Sequence, residues 1–222
     1  MSAKTLNEKI AFEVARAIEN GSNSVAVSGD GAGDFTQLHQ VEGLHKLELS
    51  CGNLKDLSFL NGLQELKSLT IQSDAIVDLS PVAGLIELEQ LSLTLSSAEE
   101  LPPLRNLKKL RMLDLYYCGI LTDITEVNNA VALEELSISE CEALEDLSPL
   151  SNCAALKTLV IEECYSVSDI KSLKGLSALR KLVLRNTNVN DVSDLRANKA
   201  LNITFDNSSL DQLRDATDQF GE

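Results

Sequence analysis

The sequence predicts an α/β solenoid, a curved right-handed coil of short repeats with a parallel β-sheet along its concave side. Three observations predict it. The frame L-x-x-L-x-L begins at Leu44, Leu66, Leu88, Leu110, Leu133, Leu156 and Leu179, at steps of 22, 22, 22, 23, 23 and 23 residues. Its L-x-L core alternates with the period of two that marks a strand with one apolar face. Beyond the strand, apolar residues recur every third position, as at Leu57, Leu60 and Leu63, a spacing that suits tight 3₁₀ turns.

A unit this short has no room for a strand, two loops and a full helix, so turns and short 3₁₀ pieces are expected on the convex side. No unit can bury its own apolar face, and stacking neighbours makes the core continuous. A weaker copy begins at Ser22, with Val25 and Val27 in the leucine slots, and a ninth strand is expected in LNITF from Leu201. At about 4.8 Å per strand the stack is a rod on the order of 40 Å long.

The open ends of a stack must be covered. Residues 3–20 are expected to form a helix presenting Leu6, Ile10, Val14, Ala17 and Ile18 on one face and stopping near Asn20-Gly21. Ser209 with Gln212 reads as a capping box opening a second short helix that turns Leu210, Leu213 and Phe220 inward. The expected organisation is one domain: a helical cap over 1–21, eight repeats and a final strand over 22–207, and a C-terminal cap over 208–222. Caps at both ends read as a complete module.

The frame resembles the leucine-rich repeat, L-x-x-L-x-L-x-x-N/C-x-L. DLSPV at 78–82 and DLSPL at 146–150 resemble the short repeats of bacterial internalins and of the leucine-rich regulators of type 1 phosphatase. LRMLDLYYC, LEELSISEC and LKTLVIEEC resemble the cysteine-containing subclass of ubiquitin-ligase receptors. The resemblance implies a non-catalytic module for protein recognition. The phosphatase regulators leave a second reading open, a regulatory subunit that alters the turnover of a bound enzyme; the receptor subclass leaves a third, a substrate-recognition receptor.

Composition narrows the partners. A formal charge of -15 opposes phosphate backbones and anionic membranes, which require a basic face. Part of that charge is architectural. Asp34, Asp56, Asp78, Glu100, Asp123, Asp146, Asp169 and Asp191 each stand at the start of the convex turn, where a carboxylate accepts orphan backbone N–H groups. Five cysteines in no secreted-domain spacing read as free thiols in a reducing compartment, the cytoplasm. No apolar run approaches the length of a membrane span.

Catalytic and metal readings find little support. The two histidines, His39 and His45, stand in no catalytic motif and repeats away from Cys118, Cys141 and Cys164. Those cysteines recur at the slot that holds Gly52, Asp74, Ser96 and Thr187 in other copies, and read as a buried thiol ladder. SVAVSGDGAGD at 24–34 is glycine-rich but lacks the Lys-Ser/Thr of a phosphate loop. The carboxylate pairs Glu134-Glu135 and Glu162-Glu163 stand on a solvated face. No enzyme activity, cofactor or metal is expected.

The concave face remains. Immediately past each strand's apolar pair lie Ser28, Ser50, Gln72, Thr94, Tyr116, Ser139, Glu162 and Arg185; the next slot holds Gly29, Cys51, Ser73, Leu95, Tyr117, Glu140, Glu163 and Asn186. The early copies offer small groups. From the fourth copy Leu95, Met112, Tyr116 and Tyr117 are expected together, with Asp114 among them, Glu135, Glu140, Glu162 and Glu163 beside them, and Arg185 beyond. Lys46, Lys67, Arg111, Lys157, Arg180 and Lys181 are expected along the opposite edge. Two of only three tyrosines in a chain without tryptophan stand side by side here, and tyrosine removes a large area from water while fixing few torsions. The expected partner is a protein with an apolar patch flanked by basic residues, bound by a monomer.

Overall fold

The computed structural model describes residues 4–195 and 197–206. Strand follows strand along the chain: β1 (Ser24–Ser28), β2 (Lys46–Ser50), β3 (Ser68–Ser73), β4 (Gln90–Leu95), β5 (Met112–Tyr116), β6 (Glu135–Ser139), β7 (Thr158–Glu162), β8 (Lys181–Arg185) and β9 (Asn202–Asp206). All nine pair in parallel in sequence order, each inward apolar residue of β4 to β7 opposite its equivalent in the next copy. This is the parallel-sheet solenoid that the periodicity predicts and the leucine-rich-repeat fold that the resemblance implies.

Each inward column is apolar because the strand period places it there. Leu47, Leu69, Leu91, Leu113, Leu136, Leu159 and Leu182 form one fully buried column, and Leu49, Ile71, Leu93, Leu115, Ile138, Ile161 and Leu184 form the second. The convex side turns through short 3₁₀ segments, among them Ser58–Leu60, Ser80–Gly84, Ser148–Asn152 and Lys171–Gly175. Seven of the eight start-of-turn acids do the job their position suggests. Each accepts the backbone N–H two residues on, from Asp34 (Thr36 N–H, 3.0 Å) through Asp146 (Ser148 N–H, 2.7 Å) to Asp191 (Ser193 N–H, 2.8 Å).

Glu100 is the exception, and its repeat is the one that departs from the pattern. The segment LPPL at 101–104 forms no 3₁₀ turn, and Glu100 instead bridges in parallel to Asp123. Two adjacent prolines cannot donate the N–H groups such a turn uses. Glu126 of the following copy reaches back to accept the Leu104 N–H at 3.0 Å.

The helix α1 (Leu6–Asn20) closes the N-terminal end. Thr5 and Glu8 form a reciprocal capping box, and Gly21 in the left-handed region (φ 61°) ends the helix by donating to the Ala17 and Ile18 carbonyls. Leu6, Ile10, Val14 and Ala17 are buried, but Ile18 is 52% exposed. The expectation for Ile18 is corrected: it lies a further 100° round the helix from Ala17 and clears β1. The glycine-rich segment serves this docking. A Cβ on Gly33 would come within 2.6 Å of Ile10 Cδ1, and the Lys9 ammonium donates to the Ser28 carbonyl beside Gly29. The expected C-terminal cap over 208–222 lies outside the described residues, as does residue 207, the last of the expected array.

Candidate functional site: the concave sheet and its rim

The outward residues of each strand form the concave surface, and the residue that follows each strand decides what stands at its rim. In the early copies alternation simply continues: Ser50 points out and Cys51 turns in, followed by Ser73 and Leu95 in the same inward place. In the later copies one residue is inserted. Tyr117, Glu140, Glu163 and Asn186 adopt left-handed φ values of 56°, 54°, 54° and 48°, carry their side chains outward, and leave the inward place to Cys118, Cys141, Cys164 and Thr187. The longer step is thus a one-residue bulge at the strand exit, where the extra residue adds nothing to the core.

Two expectations are corrected by this geometry. Leu95 does not join the concave cluster: it is 2% exposed, because in its copy the residue after the strand still faces the core. The cysteines do not take the place of Gly52, Asp74 and Ser96. They take that of Cys51, Ser73 and Leu95, so the inward ladder reads Cys51, Ser73, Leu95, Cys118, Cys141, Cys164, Thr187. Ser73 is tolerated there because its hydroxyl donates to the Leu54 carbonyl at 2.8 Å.

All five cysteines are free and buried. The thiols of Cys118, Cys141 and Cys164 donate to strand carbonyls, Cys164 Sγ to Glu162 O at 3.2 Å being the shortest. Hydrogen bonds with Cys118 and Cys164 push the central Cys141 thiol up, reinforced by burial, and the same contacts lower its two neighbours. Burial alone raises Cys153 to about 11. These are packed groups without access to a substrate. His39 Nε2 lies 2.7 Å from the Phe59 carbonyl and His45 Nδ1 lies 3.5 Å from Asn23 Nδ2. Among the described residues no group of His, Cys, Asp and Glu side chains could hold a metal ion.

The remaining predicted residues do gather. Met112, Asp114 and Tyr116 are the three outward residues of β5; Glu135 and Ser139 face them from β6, and Glu162 follows on β7. Tyr116 is 48% and Tyr117 57% exposed, with ring centroids 6.1 Å apart and planes tilted by 42°. The hydrogen bond to Glu140 raises the Tyr116 phenol. Burial, then the neighbouring Glu135, raises the carboxyl of Asp114.

Much of the acidity is already matched. Arg185 donates to Glu162 at 2.8 Å. Tyr165 and Asn186 both donate to Glu163, lowering it. At the other edge Glu134 takes Lys157 at 2.8 Å and Arg111 at 3.7 Å, and Lys46 pairs with Glu48 at 2.6 Å. Exposed pairs of this kind contribute about 0–1 kcal/mol each; they set where charge is left over more than they hold the fold.

Sequence reasoning passed over Tyr165 and Ile120, which are 55% and 42% exposed on the loops just beyond the rim. The signal was present: each falls one or two residues past an inward cysteine, where the chain has left the core.

No protein-family model matches the chain, and no curated protein does. Solved structures do match. Internalin C2 of Listeria monocytogenes superposes with a TM-score of 0.69 at 23% identity, over 90% of this chain and 92% of that one. The plant peptide hormone receptor RGFR1, in complex with RGF2, gives 0.62 at 16% identity over 83% of this chain and 32% of the receptor. TLR13 in complex with ssRNA13 gives 0.60 at 16% identity over 82% and 33%. At these identities the likeness is one of fold, and the fold is that of leucine-rich-repeat proteins.

Proposed function

We propose that this protein is a non-catalytic recognition module that binds a protein partner on the C-terminal half of its concave sheet. The observation that carries the reading is the pair Tyr116 and Tyr117, half exposed and side by side on a rigid sheet. A preformed sheet loses little conformational freedom on binding, so apolar area removed from water there converts efficiently into affinity. Met112 extends the apolar centre; Asp114, Glu135, Glu140, Glu162 and Glu163 surround it, with Arg185 beyond.

The internalin and the peptide-hormone receptor support a recognition role for a fold of this shape. A strand of RNA is a poor fit for this chain, since the site is acidic and the net charge is -15. The chain acts as a monomer in a reducing compartment, with five unpaired thiols in its core. No helix among the described residues is long and apolar enough to cross a membrane.

The test is a crosslinking capture from lysate of the source cells, comparing the native chain with a Tyr116→Ala/Tyr117→Ala variant that melts at a comparable temperature. One protein recovered by the native chain and lost with the variant is the expected outcome. Recovery of the same proteins by both would move the site off this rim.

A further inference from the structure

The concave surface has many carboxylates but few unmatched ones. On β1 to β8 Glu48 is held by Lys46 and Glu162 by Arg185; at the rim Glu163 is held by Tyr165 and Asn186, and Glu140 by Tyr116. Asp114 and Glu135 are different. Among the described residues neither has a cation or a hydrogen-bond donor against its carboxylate, and they stand diagonally on adjacent strands, with Glu135 as the charge that acts on Asp114.

Asp114 is also the better enclosed of the two. It is the middle outward residue of β5, with Ser92 and Ser137 as its lateral partners and Met112 and Tyr116 before and after it on the same face. A half-buried anion between a thioether and a phenol ring, with a second anion one strand over, is unfavourable until a cation arrives.

The geometry points to Asp114 as the receptor for an arginine side chain of the protein partner, with Glu135 as the second carboxylate and the Tyr116 ring as a stacking wall. This deepens the concave-face reading and rests on it. Arginine fits better than lysine for three reasons. Its planar fork can donate to two carboxylates at once, it loses less hydration on entering a half-buried site, and its flat face stacks on an aromatic ring. A charge-matched contact at the centre of an apolar patch selects the partner's register as well as its sign.

The test uses defined probes. ¹⁵N-labelled protein is titrated with acetyl-Ala-Leu-Arg-Leu-Ala-amide, with the same peptide carrying citrulline, which keeps the shape and removes the charge, and with the lysine peptide. The arginine peptide is expected to shift the Asp114, Tyr116 and Glu135 amide signals saturably, the lysine peptide more weakly and the citrulline peptide not at all. Asp114→Asn, nearly isosteric and checked by its melting temperature, is expected to weaken the arginine peptide roughly tenfold, and Glu135→Gln by less.

Equal shifts with citrulline, an unchanged affinity in Asp114→Asn, or no response to arginine at millimolar concentration would overturn the assignment, and a lysine peptide as good as arginine would overturn the choice of guanidinium. If these titrations fail while the tyrosine variant still loses its captured protein, the concave-face reading stands and only the arginine receptor falls.

Discussion

The first four repeats and the next four stack on one core, yet they present different surfaces. In both halves the inward residues keep one rhythm: Leu47, Leu49, Cys51, then Leu54 in the early half match Leu136, Ile138, Cys141, then Leu144 in the later half. The later set is one residue longer only between the second and third of these. That residue is Glu140, and its equivalents are Tyr117, Glu163 and Asn186. The early half has Ser28, Ser50, Gln72 and Thr94 at its rim and little to hold a partner. The comparison teaches that a solenoid can change its recognition edge by insertion outside the core, leaving the stacked columns untouched.

The sharpest way to break the comparison is to delete residues. Removing Glu140 joins Ser139 directly to Cys141, which reproduces the Ser50-Cys51 arrangement of the early half. The expected result is a folded protein within about 1–2 kcal/mol of the parent, the range of an ordinary mutation. Removing Ile138, two residues earlier, shortens the copy by the same one residue and leaves Cys141 inward, but it seats Ser139 in the core place of Ile138, so a polar group replaces a fully buried side chain. Cooperative melting is expected to be lost or its midpoint to fall far below that of the first variant, by circular dichroism. Equal damage from both deletions would mean that the bulge residues are part of the core's register after all.

A smaller effect isolates the backbone. Left-handed φ is unfavourable for a residue with a Cβ by about 1–2 kcal/mol, against which glycine's greater freedom in the unfolded chain offsets about 0.5–1 kcal/mol. Tyr117→Gly is therefore expected to be more stable than Tyr117→Ala by about 0.5–1 kcal/mol, which corresponds to roughly 1–4 °C in a chain of this size. The same pair of substitutions at Thr94, which sits in a strand of the early half, is expected to give the opposite order, since glycine weakens a strand interior. Matching orders at the two positions would remove the claim that the later rim is conformationally special.

This bulge also marks where the sequence stopped being legible. Counting forward from the frame L-x-x-L-x-L finds β2 to β8, because the frame is the strand; β1 shows only as a weaker copy with valines in the leucine slots and β9 as a strand-like segment. The convex turns and their aspartates are equally plain, since Asp-Leu-Ser-Pro states its own local structure. The direction of the next residue is another matter. Counting forward gives Leu95 and Tyr117 the same slot, and only counting backward from the following apolar residue, Ala98 in one copy and Leu121 in the other, separates them. An insertion between two anchors is invisible from either anchor alone. Ile18 failed for a related reason: a helical face is a stripe of finite width, and the neighbour that covers it decides where the stripe ends. The partnering of the acids could not be read at all, because Glu162 meets Arg185 across a stack and not along the chain.

The smallest expected effect is shared by both halves and so tests what they hold in common. Asp56 and Asp78 in the early half, Asp123 and Asp169 in the later, are each held below the usual carboxylate range by hydrogen bonds from the turn they open, from Ser58, Ser80, Thr125 and Lys171 respectively. A carboxyl group whose folded-state value is depressed contributes stability above its unfolded value, near pH 3.9, and loses that contribution as the pH falls through the folded value. Melting temperature should therefore hold steady from neutral pH to about pH 5 and decline below about pH 4, in the window where these aspartates protonate. Converting Asp78 and Asp169 to asparagine, which caps without titrating, should flatten part of that decline, and by similar amounts in the two halves. A larger flattening from one substitution than from the other would show that the convex turns differ between the halves as the rims do, and that the common scaffold is narrower than the stacked leucines imply.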